Sequence, residues 1–216
     1  MPALVEQVYR ICAVEDVLDA RDSKWPSSIV DRGIFWSLVG ELPGFTRAVL
    51  LDTAKRAFAR ISEVCKTVFA ESQQQEANII VGTGKIDGPG GVLAWSGLPP
   101  SDPCEQKYDT GERWNKDINL LPVMLHELGH AMGLQHDPKP GALMSAYYDT
   151  AIQDYTQRDI VRLQALYGLP VPTPIPPQPD PGVPGVVSKI LVEITNADLI
   201  RILNAHGKQA KVTWPS

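Results

Sequence analysis

Residues 126–136 read HELGHAMGLQH, and this stretch holds three of the four histidines of the 216-residue chain. Side chains four positions apart lie on the same face of a helix, so His126 and His130 can offer two imidazoles to one cation. Gly133 lets the helix end in a left-handed turn that a β-carbon would obstruct, and the chain can then bend back to deliver His136. Three imidazoles and one water form an open tetrahedral site, the catalytic type of zinc site. The stretch therefore predicts one catalytic zinc ion.

Glu127 follows the first histidine. On the predicted helix it projects slightly to one side, so we expect it to reach a water at the metal rather than the metal itself. A carboxylate in that place can act as general base toward the water and as general acid toward a leaving amine. A bare HExxH occurs in helices by chance, but the full HExxHxxGxxH specifies five positions and makes chance a weaker alternative. We expect the fourth histidine, His206, to be an ordinary surface residue.

Composition and charge exclude several classes of protein. The chain is 44% hydrophobic and 21% charged, and its length is enough for a core without disulfides or metals. A net charge of -5 argues against a general nucleic-acid binder. No run approaches the roughly 20 apolar residues of a membrane span. The first residues lack the features of a secretory signal, and the three cysteines are too scattered for a disulfide framework.

Proline content marks a boundary in the chain. Residues 169–185 contain eight of the nineteen prolines, which indicates an extended linker, with a ligand for an SH3-like groove as the alternative. Residues 186–216 are too few for an independent core, and there we expect a strand and a short helix capped at Asn196. Apolar spacing before the linker predicts helices at residues 46–62, 119–134 and 156–167. Short β-type runs predict strands at residues 67–69, 79–81 and 92–95.

The long zinc motif resembles the metzincin metalloproteases, whose other hallmark is a methionine turn beneath the zinc site. Met144, within Ala-Leu-Met-Ser at residues 142–145, follows at a suitable distance. Within the metzincins the chain is most similar to the matrixins, the catalytic domain of the matrix metalloproteases. Four segments carry this similarity and look like the opening strand, the loop and edge strand before the substrate cleft, the segment before the active-site helix, and the closing helix. They are residues 24–30, 87–94, 108–114 and 159–168.

The resemblance covers residues 24–168 and implies an α+β fold, a zincin-like metzincin catalytic domain with a twisted mixed sheet and about three helices. It implies a zinc endopeptidase that hydrolyses internal peptide bonds of proteins. It also implies a monomer that acts outside the cell on polypeptide substrates. Residues 1–23 form an N-terminal segment without an assigned role, and the linker 169–185 and the short segment 186–216 follow the domain.

The same resemblance implies a structural calcium site beside the edge strand. Its ligands would be the carboxylates of Asp87, Asp109 and Glu112 and the backbone carbonyls of Gly88, Gly90 and Val92. Oxygen ligands from a glycine-bent loop suit a hard cation, and three carboxylates balance its charge. The alternative is that these acids are solvated surface groups.

The resemblance also implies where a substrate binds. An extended polypeptide would pair its backbone with the edge strand, at Val92, Leu93, Ala94 and Trp95. The wall of the pocket for the P1′ side chain, the one after the scissile bond, would include Pro122, Ala146 and Tyr148. We expect an apolar P1′ residue.

Two departures from the matrixin pattern concern metal and subfamily. Matrixins hold a second, structural zinc, but the matching positions carry Trp95 and Tyr108, and the loop at residues 82–85 looks short. We therefore predict one zinc rather than two. Asp137 stands where matrixins usually have Ser or Thr, and its carboxylate could accept hydrogen bonds from backbone amides near the Met turn.

A third departure concerns latency. Cys12 lies in Arg-Ile-Cys-Ala-Val-Glu at residues 10–15, which does not match the inhibitory cysteine motif of the family. We therefore do not expect Cys12 to block the zinc, and any latency would come from elsewhere. A separate hypothesis is that residues 1–23 pack across the cleft as a short inhibitory segment, because they stand just ahead of the catalytic domain.

Two alternatives to an endopeptidase stay open. A catalytically idle binding module of the same fold is one, although His126, Glu127, His130 and His136 are all intact. A zinc exopeptidase of the HExxH type is the other, although such enzymes usually recruit a distant glutamate where His136 stands here. Cleavage of end-blocked peptides distinguishes the two kinds of peptidase.

Overall fold

The computed structural model of the protein describes residues 10–12, 21–114, 116 and 118–170. These residues belong to one compact unit, Met1–Thr173. The linker beyond residue 170, the strand and helix expected at residues 186–216 with the cap at Asn196, and the surface position expected for His206 lie outside the described residues. Among the described helices, none combines the length and the apolar character needed to cross a membrane.

In the part of the chain that the structure describes, six strands form one mixed sheet, the type of sheet that the resemblance implies. They are β1 (Arg10–Cys12), β2 (Ile34–Leu38), β3 (Phe69–Glu71), β4 (Ile79–Gly84), β5 (Val92–Ser96) and β6 (Cys104–Asp109). Their order across the sheet is β1-β5-β6-β4-β2-β3. Neighbouring strands run parallel except for the antiparallel pair β5 and β6. The run predicted at residues 67–69 is displaced, because the strand there begins only at Phe69.

Four α-helices accompany the sheet: α1 (Ser27–Arg32), α2 (Arg47–Val64), α3 (Leu120–Ala131) and α4 (Gln157–Tyr167). The three predicted helices correspond to α2, α3 and α4. Side chains at Thr46, Asn119 and Thr156 cap their first turns, which is why each helix begins where the sequence indicates. Helix α3 ends three residues before the predicted position 134, because Gly133 at φ +92° turns the chain and donates its amide to the His130 carbonyl.

The opening strand predicted within residues 24–30 is wrong. Pro26 accepts hydrogen bonds from the amides of Ile29 and Val30, at 2.9 and 3.1 Å, and the following residues form helix α1. Proline is compatible with a helix start, where no donor is needed. The strand follows at Ile34–Leu38, where four of five side chains are buried.

Helix α3 lies at the centre of the core. It packs against α2 and against strands β5 and β6. All of its residues are buried except Leu121, and the buried set includes His126, Glu127 and His130. Ionisable groups inside such an apolar helix are costly unless they are paired or bind a metal. The fold therefore places the zinc motif where its polar groups need partners.

Candidate active site

The three predicted zinc ligands come together at the end of α3 and in the turn after it. The ring centroids of His126 and His130 lie 4.8 Å apart. The ring of His136 lies 5.3 Å from the first and 4.7 Å from the second. The helix supplies two of the rings, and the turn at Gly133 supplies the third.

Backbone carbonyls orient the two rings on the helix. Nδ1 of His126 lies 2.7 Å from the Leu143 carbonyl, and Nδ1 of His130 lies 2.7 Å from the Leu134 carbonyl. A carbonyl only accepts hydrogen bonds, so each Nδ1 carries the proton and each Nε2 keeps a lone pair. The two Nε2 atoms lie 3.1 Å apart. Two lone pairs cannot hydrogen-bond to each other, whereas a shared cation satisfies both, so the donor set fits zinc.

Burial keeps these imidazoles neutral. It lowers the pKa of His126 to about 3, and the neighbouring His136 disfavours a further positive charge. Burial also lowers the pKa of His130 well below its ordinary value, and the other two histidines act in the same direction. Only the neutral ring offers a lone pair to a metal, so burial holds His126 and His130 in the form that binds zinc.

Glu127 is fully buried beside these rings. Its Oε2 accepts a hydrogen bond from Cys12 Sγ at 3.3 Å, and its Oε1 has no hydrogen-bond partner among the described residues. Burial raises the pKa of Glu127 well above its ordinary value, and the bond from Cys12 acts in the opposite direction. A carboxylate with a raised pKa and an open oxygen is suited to take up a proton.

Cys12 lies beside the three histidines, although its sequence does not match the inhibitory motif of the family. Its sulfur and the three histidine rings form one group in which the potential ligand atoms all lie within 4.8 Å of one another. The parallel pairing of β1 with β5 sets Cys12 opposite Ala94, so strand register brings the thiol to the site without the family's motif. A three-residue strand is too short to be predicted from periodicity.

The strand expected to bind substrate is not the edge of the sheet in this structure. Strand β1 pairs with β5, with Arg10 opposite Val92. Residues 10–12 therefore occupy the side of Val92, Leu93, Ala94 and Trp95 that an extended polypeptide would need. This agrees, for these three residues, with the hypothesis that the N-terminal segment crosses the cleft.

The Met turn connects α3 to α4 through contacts at Gly129 and Asp159, to which the sequence analysis assigned no role in the site. Met144 is fully buried and packs against Gly129, where a β-carbon would overlap its Sδ. The carboxylate of Asp159 accepts hydrogen bonds from the amides of Leu143 and Met144, at 3.0 and 3.4 Å, and from Thr156. A signal for Asp159 exists in the sequence, because Thr156-x-x-Asp159 is a capping-box pattern.

The acidic residues expected to bind calcium also come together. The carboxylate oxygens of Asp87, Asp109 and Glu112 lie within 4.8 Å of one another. Asp109 Oδ2 accepts hydrogen bonds from the amides of residues 87 and 88, and Glu112 Oε1 accepts from those of Gly90 and Gly91. Burial acts to raise the pKa of Asp109, but these and other backbone amides lower it below its ordinary value. The loop therefore winds around charged carboxylates.

The expected P1′ pocket is nearly closed. Pro122 and Tyr148 line a cavity of only about 10 Å³, together with Leu143 and Tyr147. Such a volume holds about one water molecule. Ala146 is buried but does not line the cavity. The structure thus brings two of the three expected wall residues together and leaves little room between them.

Trp95 and Tyr108, assigned to the positions of a second zinc, lie on opposite faces of the sheet. Register sets Lys107 opposite Trp95 and sets Tyr108 opposite Ala94. The ammonium of Lys107 lies 5.8 Å from the Trp95 ring centroid, a cation–π contact. Tyr108 is buried in the core instead. The prediction of a single zinc stays a prediction.

The carboxylate of Asp137 does not bind the Met turn. It accepts a hydrogen bond from the Lys139 amide at 2.9 Å and lies 3.4 Å from the Arg158 guanidinium. Only the backbone amide of Asp137 reaches the Met turn, where it donates to the Met144 carbonyl at 2.8 Å. The amides of that turn are satisfied by Asp159 instead.

Comparison with known proteins gives consistent similarities. A family model described as Matrixin matches residues 24–168. Interstitial collagenase A of Mus musculus is 32% identical over 77% of this chain and 39% of its own length. Stromelysin-1 of Mus musculus is 31% identical over 70% of this chain and 34% of its own length. Matrix metalloproteinase-15 of Homo sapiens is 33% identical over 62% of this chain and 24% of its own length. The chain spans about two fifths or less of the length of these relatives.

The contact between Gly129 and Met144 predicts an unusual effect of alanine. Alanine is normally better than glycine inside a helix by about 1 kcal/mol. We expect Gly129→Ala to lower the free energy of unfolding in urea by about 1–3 kcal/mol, because the new methyl group overlaps the Met144 sulfur. In a Met144→Ala background the same change should be neutral or stabilising. An equal loss in both backgrounds would contradict the contact.

Proposed function

The chain belongs to the matrixin family of zinc metalloproteases, and on that premise we propose that it is a zinc-dependent endopeptidase that hydrolyses internal peptide bonds of proteins. The observation that carries the proposal is the pair of Nε2 atoms of His126 and His130. They lie 3.1 Å apart with both Nδ1 protons committed to carbonyls, an arrangement that only a shared cation satisfies. His136 completes the set of three imidazoles.

In this proposal His126, His130 and His136 hold one zinc ion. When bound, zinc activates water and polarises the scissile carbonyl. Glu127 accepts the proton of the attacking water at a carboxylate oxygen while the new C–O bond forms. It then donates that proton to the amide nitrogen as the C–N bond breaks, so that a carboxylic acid and an amine leave. The apolar surroundings of Glu127 hold the proton between these two steps, because burial favours the neutral acid.

The alternatives of an idle binding module and of an exopeptidase have less support. An idle module would not need a buried general base, and Glu127 is fully buried beside the imidazoles. An exopeptidase of the HExxH type usually takes a glutamate as third ligand, and His136 fills that role here. For cellular location and oligomeric state, the family supports an extracellular monomer.

We further propose that residues 10–12 keep the full chain latent. Cys12 Sγ donates to Glu127 Oε2 at 3.3 Å, so the thiol lies where the attacking water must meet the carboxylate. The same strand covers β5, whose backbone groups would otherwise pair with substrate. Release of β1 would open both the general base and the substrate strand.

We also propose a structural calcium ion held by Asp87, Asp109 and Glu112. Asp109 and Glu112 are buried and close together, so their negative charges repel unless a cation offsets them. The backbone carbonyls of Gly88, Gly90 and Val92 would complete an all-oxygen ligand set. The loop that they form leads directly into β5, so calcium would hold the substrate strand in place.

Peptide cleavage tests the proposed function. The full chain with Cys12→Ala should cut internally quenched, end-blocked peptides, and a zinc chelator should stop it. Adding Glu127→Ala should lower kcat by about 10²–10⁴-fold because proton transfer is lost, while zinc content stays the same. Cleavage of peptides with a free amino terminus only, or full activity after Glu127→Ala, would contradict an endopeptidase of this mechanism.

The latency proposal predicts that one buried thiol restrains activity. Cys12→Ala should raise the cleavage rate of the full chain on the order of tenfold, since a hydrogen bond to a charged group typically contributes about 1.5–3 kcal/mol. Cys65→Ala is the matched control, because Cys65 is equally buried but bonds only to Ile61 and Thr67. Equal rates for the two variants and the unmodified chain would rule out a blocking role for Cys12.

The calcium proposal predicts a calcium-dependent melting temperature. Saturating calcium should stabilise the full chain by about 3 kcal/mol at 100 times the Kd, by mass action. Asp109→Asn should abolish this calcium-induced increase, whereas Asp31→Asn, an exposed acid in α1, should keep it. The readout is the shift caused by calcium, because Asp109→Asn also weakens the backbone hydrogen bonds of the loop. A full shift in Asp109→Asn would mean that calcium binds elsewhere.

A further inference from the structure

The third zinc ligand, unlike the other two, does not lie on α3. His126 and His130 lie on the helix, and carbonyls orient their rings. His136 lies beyond the helix end, in a stretch without regular secondary structure. A ligand on an irregular stretch needs other contacts to hold its backbone. The contacts on the preceding residue, Gln135, supply them.

Both backbone polar groups of Gln135 are held by one ion pair. Asp22 Oδ1 accepts a hydrogen bond from the Gln135 amide at 2.9 Å. Arg162 donates through Nη2 to the Gln135 carbonyl at 2.8 Å. Arg162 also donates through Nε to Asp22 Oδ2 at 2.9 Å and through Nη2 to Asp22 Oδ1. The ion pair therefore forms hydrogen bonds to the peptide groups on both sides of Gln135, and its two members also bond to each other.

The ion pair is rigid in a way that surface pairs are not. The side chains of Asp22 and Arg162 are only 22% and 25% exposed. Arg162 stands on helix α4, which the Asp159 cap fixes to the Met turn. Two parallel donors on a planar guanidinium fix direction as well as distance. Helix α4 can thus transmit a fixed position to Gln135 and to the ligand that follows it.

Asp22 is held in turn by the residues that follow it. Ser23 donates its amide to the Gly133 carbonyl at 2.9 Å, and Trp25 donates its indole N–H to the Ala131 carbonyl at 2.8 Å. A β-carbon at Gly133 would overlap the Ser23 carbonyl. Residues 22–25 therefore run along the end of α3 and the turn to His136. Gly133 is needed for this close approach as well as for its left-handed backbone.

We infer that Asp22 and Arg162 are positioning residues for the third zinc ligand, acting on His136 through the backbone of Gln135. The inference rests on the proposed zinc site and adds to it two residues outside the zinc motif. It also extends the functional unit to Asp22, two residues before the segment at 24–168 that matches the family. Residues that orient metal ligands usually contribute a factor of about 10 to 100 to metal affinity.

Zinc affinity tests the inference without relying on peptide cleavage. The dissociation constant for zinc is measured by competition with a chromophoric chelator, in the full chain carrying Cys12→Ala so that the thiol does not contribute. Asp22→Ala and Arg162→Met should each weaken zinc binding by about 10- to 100-fold. The double variant should bind zinc as tightly as the single variant with the lower zinc affinity, because the two side chains act as one unit. Arg162→Lys keeps the positive charge but loses the pair of parallel N–H donors. Its zinc affinity should lie between that of the chain with Arg162 intact and that of Arg162→Met.

A matched control separates positioning from general stability. Arg60→Met removes another arginine ion pair, in which Arg60 Nε donates to both carboxylate oxygens of Asp154, at 2.9 and 2.8 Å, and Nη1 donates to Glu63 Oε2 at 3.1 Å. This variant should bind zinc with the same affinity as its parent, the full chain carrying Cys12→Ala. In the cobalt(II) form, the visible ligand-field bands should change in the Asp22 and Arg162 variants and stay the same in Arg60→Met. Melting of the metal-free proteins checks that each variant is folded.

The outcomes distinguish this inference from the function beneath it. Parent-like zinc affinity and cobalt spectra in folded Asp22→Ala and Arg162→Met would overturn the positioning role and leave the proposed zinc site intact. Equal weakening by Arg60→Met would likewise overturn it, because the effect would then be general destabilisation. A folded parent that binds no zinc would overturn the proposed function itself, and the positioning role with it.

Discussion

The burial of two imidazoles and a carboxylate inside an apolar helix is the constraint on which the rest of the structure depends. Helix α3 is buried along almost its whole length, so its polar side chains cannot be satisfied by water. Their partners come from elsewhere: the Leu143 carbonyl from the Met turn, the Leu134 carbonyl from the turn after the helix, and the Cys12 thiol from β1. Because each partner lies on a different segment, the buried polar groups of α3 depend on the packing of the turn after the helix, the Met turn and β1 against it.

Helix α4 has a structural role that its distance from the zinc motif in sequence conceals. Asp159 caps the helix and at the same time accepts the amides of Leu143 and Met144. Arg162, one turn later, reaches Gln135 and Asp22. One face of a surface helix thus supports both the floor of the zinc site and, in our inference, its third ligand. The overlap that a β-carbon at Gly129 would make with Met144 shows how closely this floor approaches α3.

The N-terminal part of the chain contacts the site in two opposed ways. Residues 10–12 extend the sheet beyond β5 and bring a thiol to Glu127, contacts that in our proposal oppose substrate binding. Residues 22–25 lie along the end of α3 and, in our inference, support the geometry of the third zinc ligand. Under these two proposals, activation has to remove the first set of contacts and keep the second.

The sequence by itself determined helices α2, α3 and α4 and the set of candidate zinc ligands, because these depend on short-range spacing. Thr46, Asn119 and Thr156 mark helix starts through local caps, and HExxHxxGxxH places three imidazoles within eleven residues. Periodicity could not identify β1, because three residues are too few to show a period. It also missed the helix at Ser27–Arg32, where the β-branched Ile29 and Val30 favour a strand but Pro26 starts a helix. Only the tertiary structure decided that Cys12 reaches Glu127, that Trp95 faces Lys107 rather than Tyr108, and that Asp22 meets Arg162. These contacts join residues up to 140 positions apart, and strand register and helix packing set them rather than any local pattern.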